Sequence, residues 1–204
     1  MSSPGNSGAR FSASIELQIA NIRRERKPLE LYDCRPTIFE RDTMRFRVNY
    51  EEGTWFAIPL RRGGGYGIVV VARAKKPCVL AYCFGPRREF APKLDEVSRL
   101  KADSCLTVLR IGDLGLVSGS WPILGNDPLW IRSDWPMPVF IRREILPPFR
   151  NWRVYYSDTD PNEVIKEELE PSDRLELPED GLSGYGAAEI RLTKLLASSS
   201  KHNP

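Results

Sequence analysis

The 204-residue chain holds a single histidine, His202, in a closing run Ser-Ser-Ser-Lys-His-Asn-Pro whose composition predicts fraying. A Ser-His-Asp triad, a Cys-His pair or a multi-histidine metal site therefore lacks its imidazole in the folded part. Chemistry would have to rest on carboxylates, arginines or tyrosines, and no cofactor is expected. Long apolar runs are also missing: none approaches the roughly 18 residues of a membrane span. The opening Met1-Ser2-Ser3-Pro4-Gly5-Asn6-Ser7-Gly8 has neither the basic start nor the apolar block of a secretory signal. A cytoplasmic location is expected. Cysteine is scarce and unpatterned, with Cys34, Cys78, Cys83 and Cys105 forming no CxxC pair. These read as buried free thiols of a reducing compartment rather than as a zinc or disulfide site.

What the chain has in quantity is turn formers and aromatics. Seventeen prolines, fifteen glycines, five tryptophans and 41% apolar residues describe a turn-rich globular chain, all-β or α+β, with one core. Charge is unevenly spread. Residues 1–156 hold 25 basic and 16 acidic side chains, a balance of +9, whereas 157–189 hold 2 basic and 11 acidic, a balance of −9. Two readings of this acidic band stand: a solvated face that keeps the protein soluble, or a docking surface for a basic partner.

The most organised stretch is Glu51 to Ala72. Two β-branched and aromatic runs, Thr54 to Leu60 and Tyr66 to Ala72, flank Arg-Arg-Gly-Gly-Gly and predict a β-hairpin. Pro59 removes a ladder donor, so the first arm is expected to be an edge strand or to end there. The second arm is apolar throughout its centre and is expected to lie mid-sheet, covered on both faces. Cys78 to Phe84, closed by Gly85-Pro86, makes a third strand and a meander. Leu94 to Leu100 has the spacing of one or two helical turns. Cys105 to Ile111 reads as a strand, followed by a turn and a short strand from Leu116 to Ser118.

Between Trp121 and Pro148 tryptophans alternate with prolines, which predicts an irregular arm across the sheet with Val139 to Ile141 pairing briefly. Core and cover is the favoured role for these tryptophans over a base-stacking platform. Trp152 to Tyr156 is a clear strand. Asn162 to Leu169 is open between helix and strand, with a wet charged face. Ala187 to Ala197 reads as an amphipathic helix with Ala188, Leu192, Leu195 and Leu196 on its apolar face, Glu189, Arg191 and Lys194 elsewhere, and charges that suit the helix dipole. The expected organisation is a disordered leader (1–14), an extension (15–49) whose Arg45 to Tyr50 alternation leads into the core, a β domain (50–197) and a frayed tail (198–204). A basic run, Arg23 to Lys27, reads as an exposed connection.

Three pieces together resemble the bacterial immunity protein 26 family: Gly53 to Leu60 with Tyr66 to Val69; Gly119-Ser120-Trp121-Pro122-Ile123-Leu124-Gly125 with Trp135 to Phe140; and Gly184 to Leu192. The resemblance spans about Tyr50 to Leu196. It implies a mainly β protein, a curled SH3-like antiparallel sheet or partial barrel with a C-terminal helix. It also implies a non-catalytic inhibitor that binds a toxin of a polymorphic toxin system.

The strip from Asp158 to Asp180 is then the candidate partner surface, with Asp158, Asp160, Glu163, Glu167, Glu168, Glu170 and Asp173 facing a basic toxin such as a nuclease. The alternative is an SH3-like nucleic-acid-binding module using Arg61, Arg62, Lys75, Lys76, Arg87 and Arg88. An enzyme working through Glu51 or Asp113 has no paired-carboxylate pattern behind it.

Overall fold

In the structure, a computed structural model, residues 49–61, 64–172 and 176–199 are described. The expected leader, the basic run and most of the 15–49 extension lie outside these residues, as do Cys34, Arg62, Asp173 and His202. Of the Arg45 to Tyr50 alternation only exposed Asn49 and buried Tyr50 are described, and neither is in a strand.

The predicted hairpin is present as β1 (Thr54–Pro59) and β2 (Tyr66–Lys75). Next come β3 (Cys78–Arg88), α1 (Leu94–Val97), β4 (Thr107–Gly112), α2 (Leu114–Val117) and β5 (Ile123–Asn126). The chain continues through β6 (Phe140–Arg143), β7 (Asn151–Tyr156), β8 (Val164–Glu170), β9 (Leu182–Ser183) and α3 (Tyr185–Ser199). A six-stranded sheet has the order β5-β1-β2-β3-β4-β9, and a three-stranded sheet the order β6-β7-β8. Neighbours are antiparallel except β4 and β9. Among the described residues the fold is mainly β, without a closed barrel.

β2 sits mid-sheet and is buried at seven consecutive positions because each face has its own core. Val69 and Val71 join Phe56, Val79, Ala81, Leu109 and Ile111 under α3, which contributes Ala188, Leu192 and Leu196. Ile68, Val70 and Ala72 join Trp55, Leu80, Tyr82 and Phe84 beneath Trp135 and the small sheet's Phe140, Val154 and Tyr156. Period-two alternation thus sends successive β2 side chains into two different interiors. At Gly67 a Cβ would lie 2.3 Å from Leu192 Cδ2, so the close approach of α3 to β2 requires glycine.

β1 ends at Pro59, the second of the two outcomes expected of that proline, and it is not an edge, since β5 pairs with Thr54 to Phe56. Three expectations change. β3 runs past Gly85-Pro86 to Arg88, because the register shifts between Tyr66 and Ile68 and the donor-less proline falls in that irregularity. Leu116 to Ser118 is a helix end and turn rather than a strand: the Asp113 carbonyl accepts from the amides of Leu116 and Val117, and only Leu116 turns into the core between exposed Leu114 and Val117. Lastly, α3 begins at Tyr185, so its first turn carries no acid and its last no base. Glu189, three positions before Leu192, borders the buried face, 7% exposed, where Arg61 and Trp121 meet it.

Cys78 and Cys83 are buried free thiols in β3, as expected, and burial pushes their pKa values up to about 11 and about 12. Among the described residues no helix is long and apolar enough to cross a membrane.

Candidate partner-binding face

The acidic band resolves into pairs with the basic body. Asp158, at the exit of β7, accepts from Arg73 Nε at 3.0 Å and from Arg132 Nε at 3.2 Å. Arg73 itself is 2% exposed, following the β2 irregularity between Val71 and Arg73. Two parallel 2.8 Å bonds join Arg142 of β6 to Glu167 of β8, the planar fork matching the carboxylate. Glu168 accepts from the Tyr155 hydroxyl at 2.7 Å and pairs with Lys166. Glu170 is buried, paired with Arg153 and accepting the Ser172 amide at 2.8 Å.

The same arrangement continues toward the C-terminus. Glu179 pairs with Arg143 and Arg191, Asp180 with Arg110, and Glu189 with Arg61. Asp160, Glu163 and Glu176 have no ion-pair partner among the described residues. Asp160 instead accepts the Asn162 amide at 2.8 Å and holds the turn into β8. Most of the −9 band is therefore countercharge that fastens the C-terminal third onto the +9 body. Neither sequence reading anticipated this, because a charge run does not reveal which distant side chains it will meet.

Arg73 and Arg132 hold the Asp158 carboxyl below its ordinary range, with the Arg73 hydrogen bond the largest cause. A lowered folded value means the contribution to stability is complete above about pH 4 and is lost as the pH falls through that lowered value. Urea unfolding followed from about pH 5 to about pH 2 is expected to show a flatter acid limb for Asp158→Asn than for the natural chain.

What remains outward-facing is the edge of the small sheet. Asn162 to Leu169, left open from the sequence, forms β8, because its register against β7 places Leu169 opposite Trp152 and Glu167 opposite Val154. Among the described residues only β7 pairs with it. Val164, Ile165 and Leu169 are exposed along this edge, as are Lys166 and Glu167, and Glu168 is half-buried. An edge strand offers unpaired amides and carbonyls to a second chain, and its charges oppose indiscriminate pairing.

The residues of the other two readings are placed differently. Arg88 pairs with Tyr66 at the β1–β2 turn, near Arg61, while Lys75 and Lys76 stand at the opposite end of β2, roughly 30 Å away. The basic residues thus form no single phosphate-binding tract, and Arg61 is engaged by Glu189 at 3.0 Å. Trp130 and Trp135 stack on each other at 5.0 Å, and Trp55 and Trp121 are fully buried, so these tryptophans are core and cover. Asp113 accepts from Tyr50 at 2.6 Å and Glu51 from Asn126 at 2.7 Å, each in its own local contact. No group of three potential metal ligands exists among the described residues.

The family model described as Immunity protein 26 matches residues 51–150. This part of the chain belongs to the immunity protein 26 family. The immunity protein 26 match contains β1 to β6 and the turn that follows, including two of the three motifs read from the sequence. The Gly184 to Leu192 motif, with β8 and α3, lies beyond it. The working role of the chain is accordingly an immunity function. No curated protein and no solved structure matches.

Proposed function

We propose that the protein is a non-catalytic immunity protein of a bacterial polymorphic toxin system, acting in the cytoplasm, and that it neutralises a cognate toxin domain by binding and occluding it. The observation that carries the reading, beside the family match, is the β8 edge, unpaired among the described residues, with exposed Val164, Ile165 and Leu169 beside Glu167 and Glu168. Asp160 and Glu163 at its start lack a cationic partner among the described residues, and Glu167 and Glu168 are partly exposed. A toxin that must hold phosphates, such as a nuclease, presents a basic surface of the complementary sign. Carboxylates there steer its approach and cover the substrate channel.

Asp158 and Glu170 anchor the strip through Arg73 and Arg153, and Glu167 and Glu168 are paired with Arg142 and Lys166, which leaves Asp160 and Glu163 as its members without an ion pair among the described residues. The test is the quadruple substitution Asp160→Asn, Glu163→Gln, Glu167→Gln and Glu168→Gln, titrated against the toxin domain encoded by the neighbouring gene. Association is expected to slow by about tenfold or more at low salt, with a weaker salt dependence. An unchanged association rate and salt slope would sink the strip assignment.

A further inference from the structure

We propose that two copies of the chain pair β8 against β8, antiparallel about a two-fold axis at Glu167, and so join their three-stranded sheets into one. The proposal goes beyond the immunity reading and does not rest on it. Among the described residues β8 has β7 on one side and no strand on the other, so its outer amides and carbonyls form an open edge. From Lys166 to Glu170 its register against β7 is unbroken, which leaves a regular stretch for a second strand.

Charge decides which strand fits. Glu167 is held by Arg142 and Glu168 by Lys166, so cation and carboxylate balance along the edge and a second copy is not repelled. In an antiparallel pair, directly opposed side chains on one face interact most strongly. With the axis at Glu167, Lys166 stands opposite Glu168 of the second copy, and Glu168 opposite its Lys166. Lys166 and Glu168 are already neighbours within each copy, so the four charges alternate in sign around the axis. The two Glu167 carboxylates meet at the axis, each still carrying its own Arg142 fork. Moving the axis to Lys166 or to Glu168 would instead set Glu167 against Ile165 or Leu169, a charge against an apolar side chain.

Apolar side chains close the pair at both ends. Ile165 and Leu169 are 64% and 58% exposed, and in this register Leu169 of each copy comes against Ile165 of the other. The ladder irregularity between Tyr155 and Tyr156 falls at the Ile165 end of β8, so the paired stretch stays short and the association reversible. An edge accepts one strand at a time. A toxin that engages β8 therefore displaces the second copy, and the free protein keeps its open edge covered.

The experiment follows the full chain, without any partner, by sedimentation equilibrium from about 1 to about 500 µM. A reversible monomer–dimer equilibrium is expected. Lys166→Glu and Glu168→Lys each set like charges opposite one another twice, and each variant alone should dimerise about tenfold or more weakly. Mixed in equal amounts, the two variants should recover association, because every charge on one then faces its opposite on the other. Leu169→Lys leaves every ion pair of β8 in place and should also weaken the dimer. A natural chain that stays monomeric across the range overturns the proposal, as does a dimer that survives Leu169→Lys or both charge variants unchanged. Loss in each charge variant without recovery on mixing overturns the axis at Glu167.

Discussion

Arg110→Met is expected to destabilise the protein by about 3–5 kcal/mol, read as a lower urea midpoint with little change in slope. Arg110 lies on β4 and is 8% exposed, with its guanidinium 3.8 Å from the centre of the Tyr156 ring. It donates Nε to the Pro161 carbonyl at 2.6 Å and Nη1 to Asp180 Oδ1 at 3.0 Å, and also bonds the Tyr156 hydroxyl. Tyr156 belongs to the small sheet, and Asp180 precedes β9, so one side chain joins the two sheets and the C-terminal segment. Methionine fills similar volume but leaves the Pro161 carbonyl without its donor and the Asp180 carboxylate, 9% exposed, with only the Tyr156 hydroxyl at 2.8 Å and Arg142 at 4.0 Å. The cost is that of a buried charge that has lost its nearest cation rather than of lost packing. A double variant, Arg110→Met/Asp180→Leu, should therefore be less destabilised than the sum of its single changes. Additivity in that cycle would show that the pair is not coupled.

A loss of similar size, about 3–5 kcal/mol, is expected for Trp121→Ala. Trp121 is fully buried between Phe56 of β1 and Tyr185 of α3, with ring centres 5.8 and 5.5 Å away and planes inclined by 15° and 23°. Its face rests on Gly115, where a Cβ would come within 2.2 Å of Cδ2. Its Nε1 donates to Glu189 Oε1 at 3.3 Å, which gives that buried carboxylate its second partner after Arg61. Alanine would remove the ring and leave a cavity between the sheet and α3. Amide exchange should accelerate most in α3, because Glu189, Leu192 and Leu196 face the vacated side. Trp121→Phe keeps most of the apolar volume and loses the Nε1 bond, so a smaller loss is expected. Equal losses for the two variants would contradict the packing account.

These two residues mark where sequence patterns succeed and where they stop. Trp121 is legible in a run of glycine, tryptophan and proline, since a large apolar group beside a fixed backbone belongs in a core. Its two stacking partners are not legible, because Phe56 and Tyr185 stand 65 and 64 positions away along the chain. Arg110 gave no signal at all. It occupies an alternating strand at a position that faces the interior, and only the approach of β7 and the segment before β9 makes a charge tolerable there. Glu189 was misplaced for a related reason: beside the apolar face of α3, the approach of Arg61 and Trp121 turns an apparent surface carboxylate into a buried acceptor.

The candidate site was legible as a charge imbalance and as an undecided segment. Glycine-flanked β-branched runs and period-two alternation are local properties, so the sequence by itself determined the hairpin, the central place of β2, the meander, the apolar face of α3 and the family. Whether Val164 to Glu170 is a strand, and which of its carboxylates are committed to Arg142, Lys166 and Arg153, depends on residues brought together from distant parts of the chain. Coulomb interactions act through space, not along the chain. The tertiary structure alone therefore decided that most of the acidic band is internal countercharge, that among the described residues only β7 pairs with β8, and that Ile145, Leu146 and Phe149 stand outward on the turn between β6 and β7.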